Sequence, residues 1–150
     1  MSSAIDVAVI GVGLVGSAVL KQLATVPSLS ALKVVALQNS RKTLLAAPGQ
    51  HLALDHWQAQ LETSSSPALS LEQLVSELQV IQAKNRRHIA VVDNTSNDTV
   101  AGFYPSFLRA GFSVVTPNKK AFSGSVDLFS AMEEAKENLS LIHISEPTRQ

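Results

Sequence analysis

The chain has 150 residues, 45% hydrophobic and 16% charged, with twelve basic side chains balancing twelve acidic ones. That is enough apolar material for one globular domain with a core, and the wrong balance for a disordered chain. The even charge gives no electrostatic case for nucleic acid or an anionic membrane. The absence of cysteine excludes a disulfide framework, a thiolate nucleophile and a cysteine-type zinc site within these residues. The first residues, Met1-Ser2-Ser3-Ala4-Ile5-Asp6, lack the basic region of a secretory signal, and no apolar stretch is long enough to span a bilayer. A cytoplasmic protein with no membrane and no nucleic-acid partner is expected.

Ile5–Ile10 is a short apolar run that reads as a buried parallel strand. Gly11, Gly13 and Gly16 follow at the spacing G-x-G-x-x-G, and Val15, Val19 and Leu23 then fall at i, i+4 and i+8 of a helix. Strand, glycine turn and helix in that order form the context required by the dinucleotide-binding fingerprint. Gly11 allows the tight turn, Gly13 lets backbone approach a pyrophosphate, and Gly16 lets the helix pack close. The helix start adds free N–H groups and a positive dipole end for phosphates. The plainer alternative is a glycine-rich turn with no ligand.

Val26-Pro27-Ser28 closes the helix, and residues 32–37 read as a second parallel strand. An NAD-preferring site places Asp or Glu at the end of this strand to take the ribose hydroxyls. Gln38-Asn39-Ser40-Arg41-Lys42 stands there instead. With no acid to repel a 2′-phosphate, Arg41 and Lys42 favour NADP(H), with NAD(H) as the alternative cofactor; both side chains also read as solvated loop charges. Residues 43–68 are the least legible. Leu44-Leu45-Ala46-Ala47 and residues 52–61 suggest short helical turns, and Thr63-Ser64-Ser65-Ser66-Pro67 a polar loop. His51 and His56 are five residues apart, off the spacing of a helical metal pair, and no metal site is expected.

Ser70 and Gln73 make a capping box before a stripe of Leu71, Leu74, Val75, Leu78 and Ile81, so a core-facing helix should end near Lys84-Asn85. Arg86-Arg87-His88 reads as a solvated basic connector, and residues 89–92 as a strand ending at Asp93. Asp93-Asn94-Thr95-Ser96-Asn97-Asp98 then lies at the C-terminal edge of that strand, where ligands bind in open α/β sheets. The same block reads as an Asx or Ser/Thr turn capping the next helix, and such a turn can present hydroxyls to a ribose or a nicotinamide. Residues 101–110 read as a helix packing through Phe103, Phe107 and Leu108, with Gly111 just past its end. Residues 112–115 read as a further strand. Thr116-Pro117-Asn118-Lys119-Lys120-Ala121-Phe122 again follows a strand on the ligand edge, its lysines either solvent charges or ligand-side cations. A helix after Ser125 carries Leu128, Met132 and Ala135 as a core stripe. The expected fold class is α/β, a Rossmann-type doubly wound parallel sheet.

Three separated blocks agree: Val9-Ile10-Gly11-Val12-Gly13-Leu14-Val15-Gly16, Val92-Asp93-Asn94-Thr95-Ser96, and the Thr116-to-Phe122 run. Together they resemble homoserine dehydrogenase, and Ala101-Gly102-Phe103-Tyr104 points to the fungal type without a regulatory domain. The glycine motif is shared by many families; the other two blocks, in this order, are far more specific. The resemblance implies NAD(P)H-dependent interconversion of L-aspartate 4-semialdehyde and L-homoserine, in the shared route to threonine, methionine and isoleucine, by a homodimeric parent. Carried over by motif, Val12, Gly13 and Leu14 hold the pyrophosphate within a cofactor-binding turn running from Gly11 through Val15 to Gly16. Thr95 and Ser96 contact the nicotinamide half, and Asn94 beside them counts among the cofactor-binding residues. Lys119 lies between cofactor and substrate and is the candidate catalytic residue in view.

The resemblance also implies what is missing. The family's acidic substrate-binding residues and principal catalytic lysine lie in a later substrate and dimerisation domain, so residues 1–138 are expected to be a truncated cofactor domain, inactive alone. Residues 139–150, from Leu139-Ser140-Leu141-Ile142-His143-Ile144 through Glu146-Pro147, resemble an in-frame translation of a sequencing adapter and are left out of the fold assignment; the alternative is a genuine strand, Leu139–Ile144, followed by a Pro turn. Two rivals remain. A non-catalytic NAD(P)-binding regulatory module would share the fold. A different Rossmann enzyme is the second: a phosphorylating semialdehyde dehydrogenase needs a cysteine nucleophile, and none is present in these residues, while a methyltransferase would carry an acid after the second strand, where Gln38-Asn39 stands.

Overall fold

Every residue of β1 (Ile5–Ile10) is buried, as expected of a strand with neighbours on both sides and helices on both faces. The computed structural model describes residues 5–25, 31–95, 97–117 and 141–144. Around β1 are built β2 (Leu32–Gln38), β3 (Thr43–Leu45), β4 (His88–Asp93), β5 (Ser113–Pro117) and β6 (Leu141–Ile144). The helices are α1 (Leu14–Thr25), α2 (Trp57–Glu62), α3 (Leu71–Asn85), α4 (Asp98–Gly102) and α5 (Tyr104–Arg109). The described strands form one sheet in the order β3-β2-β1-β4-β5-β6. The chain runs outward from β1 to β2, then crosses back to lay β4 on the other side of β1. That reversal is the topological switch point of a doubly wound sheet.

Two apolar layers cover the faces. Ile5, Val7 and Val9 of β1 meet Val19, Leu20 and Leu23 of α1 and Leu61 of α2. Ala8 and Ile10 face the opposite side, with Leu74, Leu78 and Ile81 of α3 and Phe107 of α5. The capping box at the start of α3 forms as expected: the Ser70 hydroxyl accepts from Gln73 N at 3.1 Å, and Gln73 Oε1 accepts from Ser70 N at 3.1 Å. In β2 strict alternation fails. Val7 pairs with Val34 but Ala8 with Ala36, so Val35 is an extra residue, a β-bulge that reverses the parity of the rest of the strand. Leu37 therefore joins Leu32 and Val34 on the α1 face.

Several expectations are corrected here. The sheet is parallel except at one margin, where β3 runs antiparallel to β2. Leu44 and Leu45 are strand, not a helical turn. Asn39 Oδ1 accepts from the backbone N of Arg41 (2.8 Å) and Lys42 (2.6 Å), closing an Asx turn that folds the chain into a hairpin. The helix expected over residues 101–110 is two short helices. The first starts earlier, where Asn97 Oδ1 accepts from Thr99 N and Val100 N; the second begins around Pro105, whose missing N–H suits a first turn. Within the tail, Leu141–Ile144 takes the strand form given as its alternative reading, paired in parallel with β5 over Val114, Val115, Thr116 and Pro117. The closing turn at residues 26–28, the loop at 118–122, the helix after Ser125 and the residues past Ile144 lie outside the described residues. Among those described, no helix is long and apolar enough to cross a membrane and no His/Cys/Asp/Glu group forms a metal cluster.

Arg87 is also not a solvated connector. Asp6 is fully buried near the N-terminal end of β1. Its carboxylate accepts from Arg87 Nε (2.5 Å) and Asn85 Nδ2 (2.9 Å) and contacts His51 Nε2 (3.1 Å). Arg87 also donates to the carbonyls of Ile5 and Ala31, at 3.2 and 2.8 Å. One guanidinium thus joins β1, the entry to β2 and the exit of α3. Removing it leaves a buried charge short of donors, so Arg87→Ala is expected to cost about 3 kcal/mol. Urea unfolding measures this, and an unchanged midpoint would refute the role.

Candidate functional site

The switch point opens between the C-terminal ends of β1 and β4. Ile10 lies opposite Asp93 across the parallel pair, and Asn94 N donates to Ile10 O at 2.9 Å. The glycine turn is held from both sides: Gly11 N donates to Gln38 O at 2.8 Å, and Asn94 Nδ2 donates to Gly11 O at 3.1 Å. Gly11 has φ +89°, in the left-handed region that glycine adopts without strain. At Gly16 a Cβ would lie 2.1 Å from Gly11 O and 3.2 Å from Asn94 Nδ2. The helix therefore abuts the turn and the β4 end, not merely its own strand. Gly13 is the opposite case, exposed and with nothing within 4 Å of an added Cβ.

Ser17 N donates to Gly13 O at 2.8 Å, the bond that opens α1. The N–H groups of Leu14, Val15 and Gly16 precede it and have no intrahelical acceptor. Val12 packs half-buried against the α1-side core, and its carbonyl accepts from Ser17 Oγ at 3.2 Å. An open Cβ-free approach at Gly13, over the start of a twelve-residue helix, fits a pyrophosphate.

At the β2 end, Gln38 is buried and engaged: its Oε1 accepts from Thr43 Oγ1 (2.6 Å) and Leu69 N (3.2 Å), and its Nε2 donates to Leu69 O (3.0 Å). Arg41 and Lys42, grouped in the sequence, separate. Lys42 Nζ donates to Ser64 O at 2.8 Å. Arg41 is exposed, and among the described residues its guanidinium makes no hydrogen bond or ion pair.

At the β4 end the buried Asp93 organises the turn. Its Oδ1 accepts from Thr95 N (2.9 Å) and Thr95 Oγ1 (2.7 Å), and its Oδ2 accepts a short hydrogen bond from Tyr104 Oη. Burial, then the Asp93 hydrogen bond and charge, push the Tyr104 phenol well above its ordinary value, so it stays protonated as a donor. The Thr95 hydroxyl, expected to be held out to a ligand, is instead satisfied within the turn: it donates to Asp93 and accepts from Asn97 N at 3.2 Å. Asn94 Oδ1 is buried with no partner among the described residues. Ser96 and Lys119 lie outside the described residues. Asp93 and Tyr104 as an interacting pair were missed. The signal was thin: a lone tyrosine after Ala101-Gly102-Phe103, eleven residues from the acid it binds.

A separate cavity of about 440 Å³, bounded by Leu54, Asp55, His56, Trp57 and Glu62 among others, runs along α2 and includes none of these residues.

Fold and turn together define an α/β dinucleotide-binding domain. The comparisons narrow that class. The family model for the homoserine dehydrogenase NAD-binding domain matches residues 11–144, and the chain belongs to that family. Homoserine dehydrogenase of Emericella nidulans is 40% identical over 146 residues, which cover 91% of this chain and 38% of that protein. The enzyme of the same name from Saccharomyces cerevisiae is 36% identical over 129 residues, covering 85% of this chain and 35% of that protein. The chain thus spans little more than a third of these relatives. The crystal structure of homoserine dehydrogenase from Thermoplasma acidophilum superposes with a TM-score of 0.59 over 93% of this chain and 42% of that one. At 22% identity that likeness speaks for the fold alone.

Two glycine substitutions should part company. Gly16→Ala drives a methyl into Gly11 O, and is expected to lower thermal stability and abolish nicotinamide-dinucleotide binding together. Gly13→Ala meets no atom of the described residues, and is expected to keep the wild-type melting temperature while weakening the nicotinamide dinucleotide about tenfold or more through loss of close backbone approach. Thermal melts beside titrations with NADPH and NADH separate the two, and equal behaviour of both variants would contradict the assignment.

Proposed function

We propose that this chain is the cofactor-binding part of a homoserine dehydrogenase that uses NADP(H), with NAD(H) as the alternative cofactor. The whole protein is proposed to be a homodimer that interconverts L-homoserine and L-aspartate 4-semialdehyde. The observation that carries the reading is the open approach at Gly13, at the start of α1 and the β1/β4 switch point, in a chain of this family.

When bound, the nicotinamide cofactor exchanges the hydride with the carbonyl carbon. The chain's own residues bind and orient. Leu14, Val15 and Gly16 offer first-turn N–H groups to the pyrophosphate, beside Gly11, Val12 and Gly13. The commitment of Gln38 to Thr43 and Leu69 and the absence of an acid at this edge support NADP(H). Arg41 is the cation proposed for the 2′-phosphate; Lys42, tied to Ser64, is the weaker candidate. Asn94, Thr95 and Ser96 are proposed to border the nicotinamide half. Lys119 is proposed to stand between cofactor and substrate, where the carbonyl oxygen needs a cation or an acid. The remaining substrate groups are assigned to the part of the relatives that this chain does not cover.

Titrating the 150-residue chain with NADPH, NADH and S-adenosylmethionine tests the reading. NADPH is expected to bind, NADH more weakly, and S-adenosylmethionine not at all. The chain alone is expected to show no homoserine-dependent NADP⁺ reduction. No binding of either nicotinamide would refute the cofactor role, and robust turnover by this chain would refute the division of labour.

A further inference from the structure

Asp93 is a buried carboxylate at the end of β4, and every hydrogen bond it accepts among the described residues comes from an uncharged donor. Two of the donors belong to Thr95 and fold the turn back over the strand end. The third, the Tyr104 hydroxyl, reaches in from α5, a separate element packed on the sheet. This turn touches the glycine turn directly. Thr95 Cγ2 lies 2.9 Å from where a Gly11 Cβ would stand, and Asn94 Nδ2 binds Gly11 O. A shift of Thr95 therefore changes the spacing between the two walls of the crevice.

We propose that Tyr104 and Asp93 are positioning residues for the nicotinamide side of the cofactor site, holding the Asn94–Thr95 turn at its working distance from the glycine turn. The proposal rests on the cofactor reading above. The end of β2 takes the adenosine ribose in this fold class, so the β4 side of the switch point falls to the other half of the dinucleotide. The phenol suits the role because it holds its proton: burial and the Asp93 charge both oppose its ionisation, so the turn keeps its donor across the neutral range. No residue of this pair is asked to touch the cofactor. The adenosine wall is held by bonds among Gly11, Gln38, Thr43 and the Asn39 turn, and neither Asp93 nor Tyr104 takes part in them.

The test is a split between whole cofactor and half cofactor. Tyr104→Phe in the 150-residue chain is titrated with NADPH and with its adenosine half, 2′,5′-ADP. Loss of one hydrogen bond to a charged group is expected to weaken NADPH about tenfold and to leave 2′,5′-ADP within about twofold of wild type. Thr95→Val, which removes the hydroxyl and keeps the shape, is expected to give the same split and stands in if Tyr104→Phe does not fold. Should wild type take NADH in place of NADPH, AMP replaces 2′,5′-ADP. Equal weakening of both ligands would make the pair a general structural element and overturn the proposal, as would no weakening of either. A wild-type chain that binds neither nicotinamide would overturn the cofactor reading itself.

Discussion

The glycine turn is confined from three sides, and that confinement orders the rest of the site. Gln38 O accepts from its first N–H, Asn94 Nδ2 donates to its first carbonyl, and Gly16 brings α1 so near that a methyl would stand 2.1 Å from Gly11 O. The turn can be this tight only because β2 and β4 both flank β1, which is a property of the sheet order. The same order leaves the open side at Gly13 facing outward. A local motif and a long-range topology thus specify one another. The glycines permit the approach of helix to strand end, and the crossover from β2 to β4 supplies the groups that hold it.

The two ends of the central strands each carry a buried aspartate, and their surroundings divide the work. Asp6, at the N-terminal edge, meets a guanidinium, an amide and an imidazole from three segments. It holds the base of the sheet, away from any ligand edge. Asp93, at the C-terminal edge, meets among the described residues only uncharged donors, from its own turn and from α5.

Local chemistry made much of the fold readable. β1 has the bounds its apolar run suggested, because a strand buried on both faces needs no alternation to mark it. The α3 start was legible because the Ser70/Gln73 box is a signal complete within four residues. The fold class, the glycine turn and the family likewise came from short contiguous blocks. The features that escaped depended on partners far away in sequence. The bulge at Val35 is set by pairing with β1. The hairpin at Thr43–Leu45 needed the Asn39 turn, whose polar residues looked like any loop. Arg87 read as a solvent charge because its acceptor, Asp6, is 81 residues distant. Tyr104 was given no side-chain role, because its hydroxyl finds Asp93 only after two short helices have turned back on the sheet.

The most direct measurement is backbone hydrogen exchange of this chain with and without NADPH. If the crevice at the β1/β4 switch point is the cofactor site, NADPH slows exchange at Gly13 through Ser17 and at Asn94–Thr95, and leaves the Asp6–Asn85–Arg87 base unchanged. Protection confined to that base or to the α2 cavity, with the glycine turn unaffected, would contradict the account.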